Sequence, residues 1–194
     1  MRIIAGKYRG RNLKSPPSLE VRPTSDRLRE TLFNVIAPGI ESARFLDLCA
    51  GSGAVGIEAL SRGAAHATFV DRSRKMTSLI EANLELCGIA KEERSVVQAE
   101  AAEFLRQAAR QKGNGKHQPW DIVFFDPPYS IDYVPVLEAL GNISLAVLSE
   151  TGLLIVEHHH KKELPDEPGS LHRTRVLKQG DSALSFYEVS TSEK

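Results

Sequence analysis

Cysteine is scarce: the 194 residues contain only Cys49 and Cys87. Each lies in an apolar setting and no CxxC pair occurs. A disulfide framework and a cysteine-built zinc site are therefore not expected, and a reducing, cytoplasmic compartment is. Long hydrophobic runs are also missing. No stretch reaches the roughly 18 apolar residues of a membrane-spanning helix, so no membrane association is expected. Residues 1–7 lack the sustained apolar stretch of a signal peptide. An excess of one charge is absent too. The 25 Lys and Arg balance the 25 Asp and Glu, so the charge of the whole chain names no partner. There are no long repeats and no low-complexity tracts. What is present is a 41% hydrophobic content, enough for a core in one domain of ordinary size.

The balanced charge is unevenly placed. Residues 1–30 carry eight basic side chains (Arg2, Lys7, Arg9, Arg11, Lys14, Arg22, Arg27, Arg29) against three acidic ones (Glu20, Asp26, Glu30), a local net of +5. Such a segment is either a solvated arm or a surface for phosphates. Ile3, Ile4 and Leu13 suggest a short hairpin within it. Thr24 or Ser25 can cap a helix, with Asp26 in the first turn favouring its dipole. Leu28, Leu32, Phe33, Val35 and Ile36 give that helix an apolar face, and Pro38-Gly39 is expected to end it. The expected division is a basic extension over 1–38 and a main domain over 39–194.

From residue 45 onward strands and helices alternate. Strands are predicted at 45–48, 67–70, 95–98, 121–125 and 152–156, with helices at 55–61, 74–87, 101–111 and 134–148 between them. The almost wholly apolar run at 121–125 suits a strand buried on both faces of a parallel sheet. Two further strand-like runs, 173–178 and 183–189, flank Gln179-Gly180-Asp181 and read as a terminal hairpin. The pattern predicts an α/β, doubly wound, mostly parallel sheet with an antiparallel finish.

Two loops carry the chemistry. The first joins the first strand to the next helix: Asp47-Leu48-Cys49-Ala50-Gly51-Ser52-Gly53-Ala54-Val55-Gly56. Glycines there let backbone approach a ligand at the carboxyl edge of the sheet. Gly51, Gly53 and Gly56 match GxGxxG, which by itself fits a dinucleotide site or merely a tight turn. Asp71 ends the second strand, where a carboxylate can accept the ribose hydroxyls of adenosine in NAD or in S-adenosylmethionine, or can cap the following helix. Asp47, at a buried strand end, is costly unless used. A phosphate-binding loop gains nothing from an added negative charge, so Asp47 tilts the choice toward a cationic sulfonium cofactor. Glu100, after the third strand, can reach an adenine edge or cap the next helix.

The second loop is Asp126-Pro127-Pro128-Tyr129, directly after the fourth strand. An aromatic exocyclic amine is a weak nucleophile because its lone pair is delocalised into the ring. The Asp126 carboxylate and the Pro127 carbonyl can accept its two N–H bonds and favour a pyramidal nitrogen. The prolines restrict φ and remove backbone donors, which steadies that carbonyl. Tyr129 can stack on a base, worth roughly 1–3 kcal/mol, once the base is extruded. The remaining requirement is alignment of nitrogen, methyl carbon and sulfur. No metal is needed. His158-His159-His160 reads as a polar strand end, and Glu157 as either a pocket acid or a strand-end residue.

The chain resembles the bacterial 16S ribosomal RNA guanine-N2 methyltransferases. The resemblance rests on Arg2 through Arg11, Arg22-Pro23-Thr24 with Asp26-Arg27, Arg29 through Asn34, Asp47 through Gly53, Gly56 through Ala64, Phe69-Val70-Asp71, Asp126 through Tyr129, and Leu184 through Tyr187. The amino-terminal block is its most family-specific part, because the tetrapeptide is shared with adenine-N6 methyltransferases of DNA. It implies a class I methyltransferase fold of seven strands, S-adenosylmethionine as cofactor, and one guanine of 16S RNA as substrate, in the small subunit or a late assembly intermediate. It also implies that the acid at Asp47 holds the loop and faces the cationic methionine end of the cofactor. The candidate cofactor set is Asp47, Cys49, Ala50, Gly51, Ser52, Gly53, Asp71, Arg72, Glu100, Ala101 and Asp126. The catalytic set is Asp126, Pro127, Pro128 and Tyr129. Lys7, Arg9, Arg11 and Arg22 are the candidate RNA contacts. One departure stands out: the general cofactor-binding pattern has glycine where this chain has Cys49.

Overall fold

The computed structural model describes residues 1–16, 25–112, 118–128 and 133–190. Arg22, Pro23, Thr24 and Tyr129 lie outside the described residues. By contacts the chain forms two compact units, Met1–Ala101 and Ala102–Lys194. Its seven strands take the order β3-β2-β1-β4-β5-β7-β6, the doubly wound, mixed α/β sheet that the alternation predicts.

The first unit begins with a short hairpin. Arg2 bridges Asn12, and the Ile3 amide donates to the Arg11 carbonyl at 3.0 Å. Helix α1 follows over Asp26–Ile40. Ser25 is its cap, the hydroxyl accepting the Leu28 amide at 3.2 Å. The expected stop at Pro38 does not occur, and the helix runs on to Ile40. A proline this close to the end removes a single intrahelical bond, while Ile36 and Ile40 are both buried by continuing the turn. Strands β1 (Arg44–Leu48), β2 (His66–Asp71) and β3 (Arg94–Gln98) pair in parallel. Between them lie α2 (Ala54–Ser61) and α3 (Arg74–Cys87). Helix α2 is buried at every position, which is why its sequence is apolar all round apart from Glu58 and Ser61.

The second unit holds α4 (Ala101–Lys112), β4 (Trp120–Phe125), α5 (Val134–Val147), β5 (Leu148–His159), β6 (Leu171–Gln179) and β7 (Ser182–Val189). Strand β4 pairs in parallel with β5, Phe125 lying opposite Val156. Strand β7 is antiparallel to both β5 and β6. Strand β5 is longer than its apolar run suggests, because pairing with β7 continues through His159↔Ser182. The polar 157–159 stretch is thus a paired strand, not a loose end.

Candidate functional site

The glycine loop is held by carboxylates on both sides. Asp47 is fully buried and accepts the Gly56 amide at 2.9 Å. Burial pushes its carboxyl up to about 7, against the opposing pull of that bond, and nearby Asp71 adds to the rise. Asp71 accepts the Gly51 amide at 3.0 Å through one oxygen and the Ser73 amide at 2.8 Å through the other. Each oxygen of a carboxylate has about two acceptor sites, so hydroxyl donors can still be received.

The three glycines have different reasons to be there. A Cβ at Gly56 would lie 2.3 Å from the Phe69 ring. One at Gly53 would press on Ile80 at 3.2 Å, and φ there is +76°. These two allow α2 and α3 to pack close to β2. Gly51, at φ +54°, is different: a Cβ would have only the Cys49 carbonyl near it, at 4.0 Å. The loop is therefore open at Gly51, beside Asp71. Cys49 also has positive φ, at 62°, which explains why glycine suits this position. Arg72 and Glu100 pair with 3.6 Å between charged atoms, both well exposed. Ser52 is buried, and its carbonyl accepts from the Asn83 side chain at 2.9 Å. Ala101 begins α4.

The amino-terminal arm is seated on this unit by groups that the sequence did not flag. Glu58 is completely buried and accepts the Ile4 and Ala5 amides at 2.8 and 3.0 Å. Ser61 accepts the Tyr8 amide at 2.9 Å through its hydroxyl and the Lys7 amide at 2.7 Å through its carbonyl. Asn83 binds both the amide and the carbonyl of Lys14, so one side chain ties the arm to the glycine loop. A lone glutamate within the apolar run at 54–61 was the available signal. Tyr8 is buried, with Lys7 and Arg11 over its ring at 5.1 and 5.5 Å. It packs and is not presented to a base. Lys7, Arg9 and Arg11 are exposed. Arg29 is buried and donates to the Arg2 carbonyl at 2.7 Å and to Asp26 at 2.8 Å, so it anchors the arm.

In the second unit Asp126, Pro127 and Pro128 follow β4 directly. Asp126 is half-buried, Pro127 buried and Pro128 exposed. The Pro127 carbonyl accepts the Tyr133 hydroxyl at 3.2 Å. Glu157 is buried on β5 and accepts the Ser182 hydroxyl at 3.2 Å. His158 is buried, with one ring nitrogen 2.9 Å from the Ser185 hydroxyl and the other 3.0 Å from the His159 carbonyl. Burial lowers its pKa, as suits a neutral ring paired on both nitrogens. Ligand atoms of His159, His160 and Asp181 lie within 4.8 Å of one another.

A glycine loop at the carboxyl end of β1, acids at the ends of β1 and β2, and an Asp-Pro-Pro turn after β4 are the parts of a class I methyltransferase. Solved structures support that class. The Escherichia coli protein yhhF superposes with a TM-score of 0.81 at 36% identity, covering 99% of both chains. SMU.776, solved with S-adenosylhomocysteine, has the same fold at a TM-score of 0.70 and 16% identity, covering 88% of this chain and 50% of that one. The chain belongs to the family described as Conserved hypothetical protein 95, whose model matches residues 1–188. It is 41% identical to the Escherichia coli K12 protein named ribosomal RNA small subunit methyltransferase D, over 97% of this chain and 89% of the relative.

Proposed function

We propose that this chain transfers a methyl group from S-adenosylmethionine to the exocyclic N2 of one guanine in 16S ribosomal RNA. The observation that carries the reading is the Asp126-Pro127-Pro128 turn after β4, in a chain whose glycine loop is flanked by Asp47 and Asp71. The name of the Escherichia coli relative supports ribosomal RNA as the substrate.

The loop residues suit the cofactor. The open side of Gly51 gives room for a ligand against backbone, and Asp71 keeps acceptor capacity for ribose hydroxyls. Two acids beside the loop repel a pyrophosphate and attract a cation. Arg72, Glu100 and Ala101 form the rim on the adenine side. Bound S-adenosylmethionine supplies an electrophilic methyl group on positively charged sulfur. Asp126 and the Pro127 carbonyl accept the two N–H bonds of the target amine and direct its lone pair. Tyr129 stacks on the extruded base. Lys7, Arg9, Arg11 and Arg22 contact RNA phosphates from the arm, and the main domain after residue 38 does the chemistry. The substrate is RNA within the small subunit or a late assembly intermediate, so the reaction belongs in the cytoplasm. No helix among the described residues is long and apolar enough to cross a membrane.

The test is methyl transfer from tritiated cofactor to naked 16S RNA, to small subunits from a strain lacking the protein, and to duplex DNA. Label in N2-methylguanine from the particles supports the reading. Label in DNA adenine overturns it in favour of an adenine-N6 enzyme.

A further inference from the structure

Tyr133 stands at the start of α5 and is completely buried. Its hydroxyl donates to the Pro127 carbonyl at 3.2 Å, the oxygen that the proposed reaction gives to the target amine. The ring is held from two directions. Phe125 meets it edge-on at 6.3 Å and 67°, and the Lys162 ammonium lies 4.0 Å from its centroid.

The backbone leaves one torsion for such a bond to control. Proline rings fix φ at both Pro127 and Pro128. The direction of the carbonyl between them therefore depends on ψ of Pro127, which a following proline narrows to the extended range without fixing it. A carbonyl oxygen has two lone pairs, so a donor on one of them sets where the other points. A cation over the face of a phenol draws electron density from the ring and strengthens its O–H as a donor.

We propose that Tyr133 is a positioning residue for methyl transfer: its hydroxyl fixes the Pro127 carbonyl so that the second lone pair faces the incoming amino group, with Lys162 reinforcing the bond. This rests on the proposed function, because only an amino acceptor makes use of that carbonyl. Tyr133 does not touch the substrate. It removes the freedom of a group that does.

Tyr133→Phe in the full chain keeps the ring and deletes the hydroxyl. With small-subunit particles as substrate, kcat falls about five- to tenfold, the rate equivalent of one net hydrogen bond, while KM for cofactor and particles is unchanged. Lys162→Met lowers kcat in the same direction by about two- to threefold. A residue that merely fills space leaves kcat alone in Tyr133→Phe, and wild-type kcat in that variant overturns the proposal. So does a loss confined to KM. If Tyr133→Phe does not fold, Lys162→Met decides on the same criterion.

A second readout needs no substrate. The 13C resonance of the Pro127 carbonyl moves upfield in Tyr133→Phe when the bond is lost, and an unmoved resonance overturns the brace. Failure of the wild-type protein to methylate guanine in particles would instead strike the proposed function, and the carbonyl resonance would still report on Tyr133.

Discussion

Asp47 is a residue whose chemistry is strongly altered by its surroundings. Its carboxyl is pushed up to about 7 by burial, far above the 3.8 of a free group. A raised carboxyl pKa means that the folded state holds the proton more tightly than the unfolded state. The resulting stability is complete below the unfolded value and is lost as pH rises through about 7. Each unit of difference is worth about 1.4 kcal/mol, so the ligand-free protein loses on the order of a few kcal/mol between pH 5 and pH 8 through this group. Asp47→Asn flattens that decline in a denaturant titration repeated across pH. A cation bound beside Asp47 favours the charged form, so binding of S-adenosylmethionine near pH 6.5 releases protons. Calorimetry in buffers of different ionisation enthalpy measures this, and Asp47→Asn abolishes the release. Cys49 offers a simpler test. Its positive φ costs a non-glycine residue about 1–2 kcal/mol, partly offset by the greater freedom of glycine in the unfolded chain. Cys49→Gly is expected to stabilise the protein by up to about 1 kcal/mol, read as a shift of the denaturation midpoint.

At the scale of elements, the amino-terminal hairpin is fastened to α2 through backbone. Gly6 lies at φ +80°, and a Cβ there would stand 1.8 Å from the Ser61 carbonyl. Gly6→Ala must push the hairpin off the helix and leave Glu58 buried without its two amide donors. A loss of about 2–4 kcal/mol follows from two lost amide bonds to a buried carboxylate, which keeps only Arg62 Nε at 2.8 Å, and from the strained backbone. Hydrogen exchange checks it: the Ile4, Ala5 and Tyr8 amides lose protection first. This attachment marks the limit of what the sequence could convey. The runs at 45–48, 67–70 and 121–125 announce buried strands because burial on both faces leaves no polar alternation, and Ser25 marks a helix start by a local rule. The glycine loop and the Asp-Pro-Pro turn were legible because both are contiguous. Glu58, Ser61, Asn83 and Tyr133 act on backbone distant in sequence or across a turn, and no local pattern reveals such partners. Pro38 misled for the opposite reason: its local rule was outweighed by the burial of Ile40.

For the whole molecule, balanced charge conceals a basic arm with Lys7, Arg9 and Arg11 exposed on a buried backbone. The arm is held mainly by bonds to its main chain, with one side-chain bond from Arg11 to the Leu86 carbonyl at 3.1 Å, so changing those three side chains leaves most of its attachment in place. Neutralising all three is expected to weaken RNA binding and to reduce the slope of log affinity against log salt by about two to three, with cofactor affinity retained. Binding titrations at several salt concentrations read this, and an unchanged slope removes the arm from the RNA interface. The central claim is that the Asp126 turn methylates a guanine amino group. It is tested most directly by nucleoside analysis of 16S RNA from a strain lacking the protein, complemented with the wild-type chain or with Asp126→Ala. The account predicts that N2-methylguanine at one site returns with the wild type and stays absent with Asp126→Ala, although the variant still binds S-adenosylmethionine. Return of the modification with Asp126→Ala, or its absence with the wild type, would contradict it.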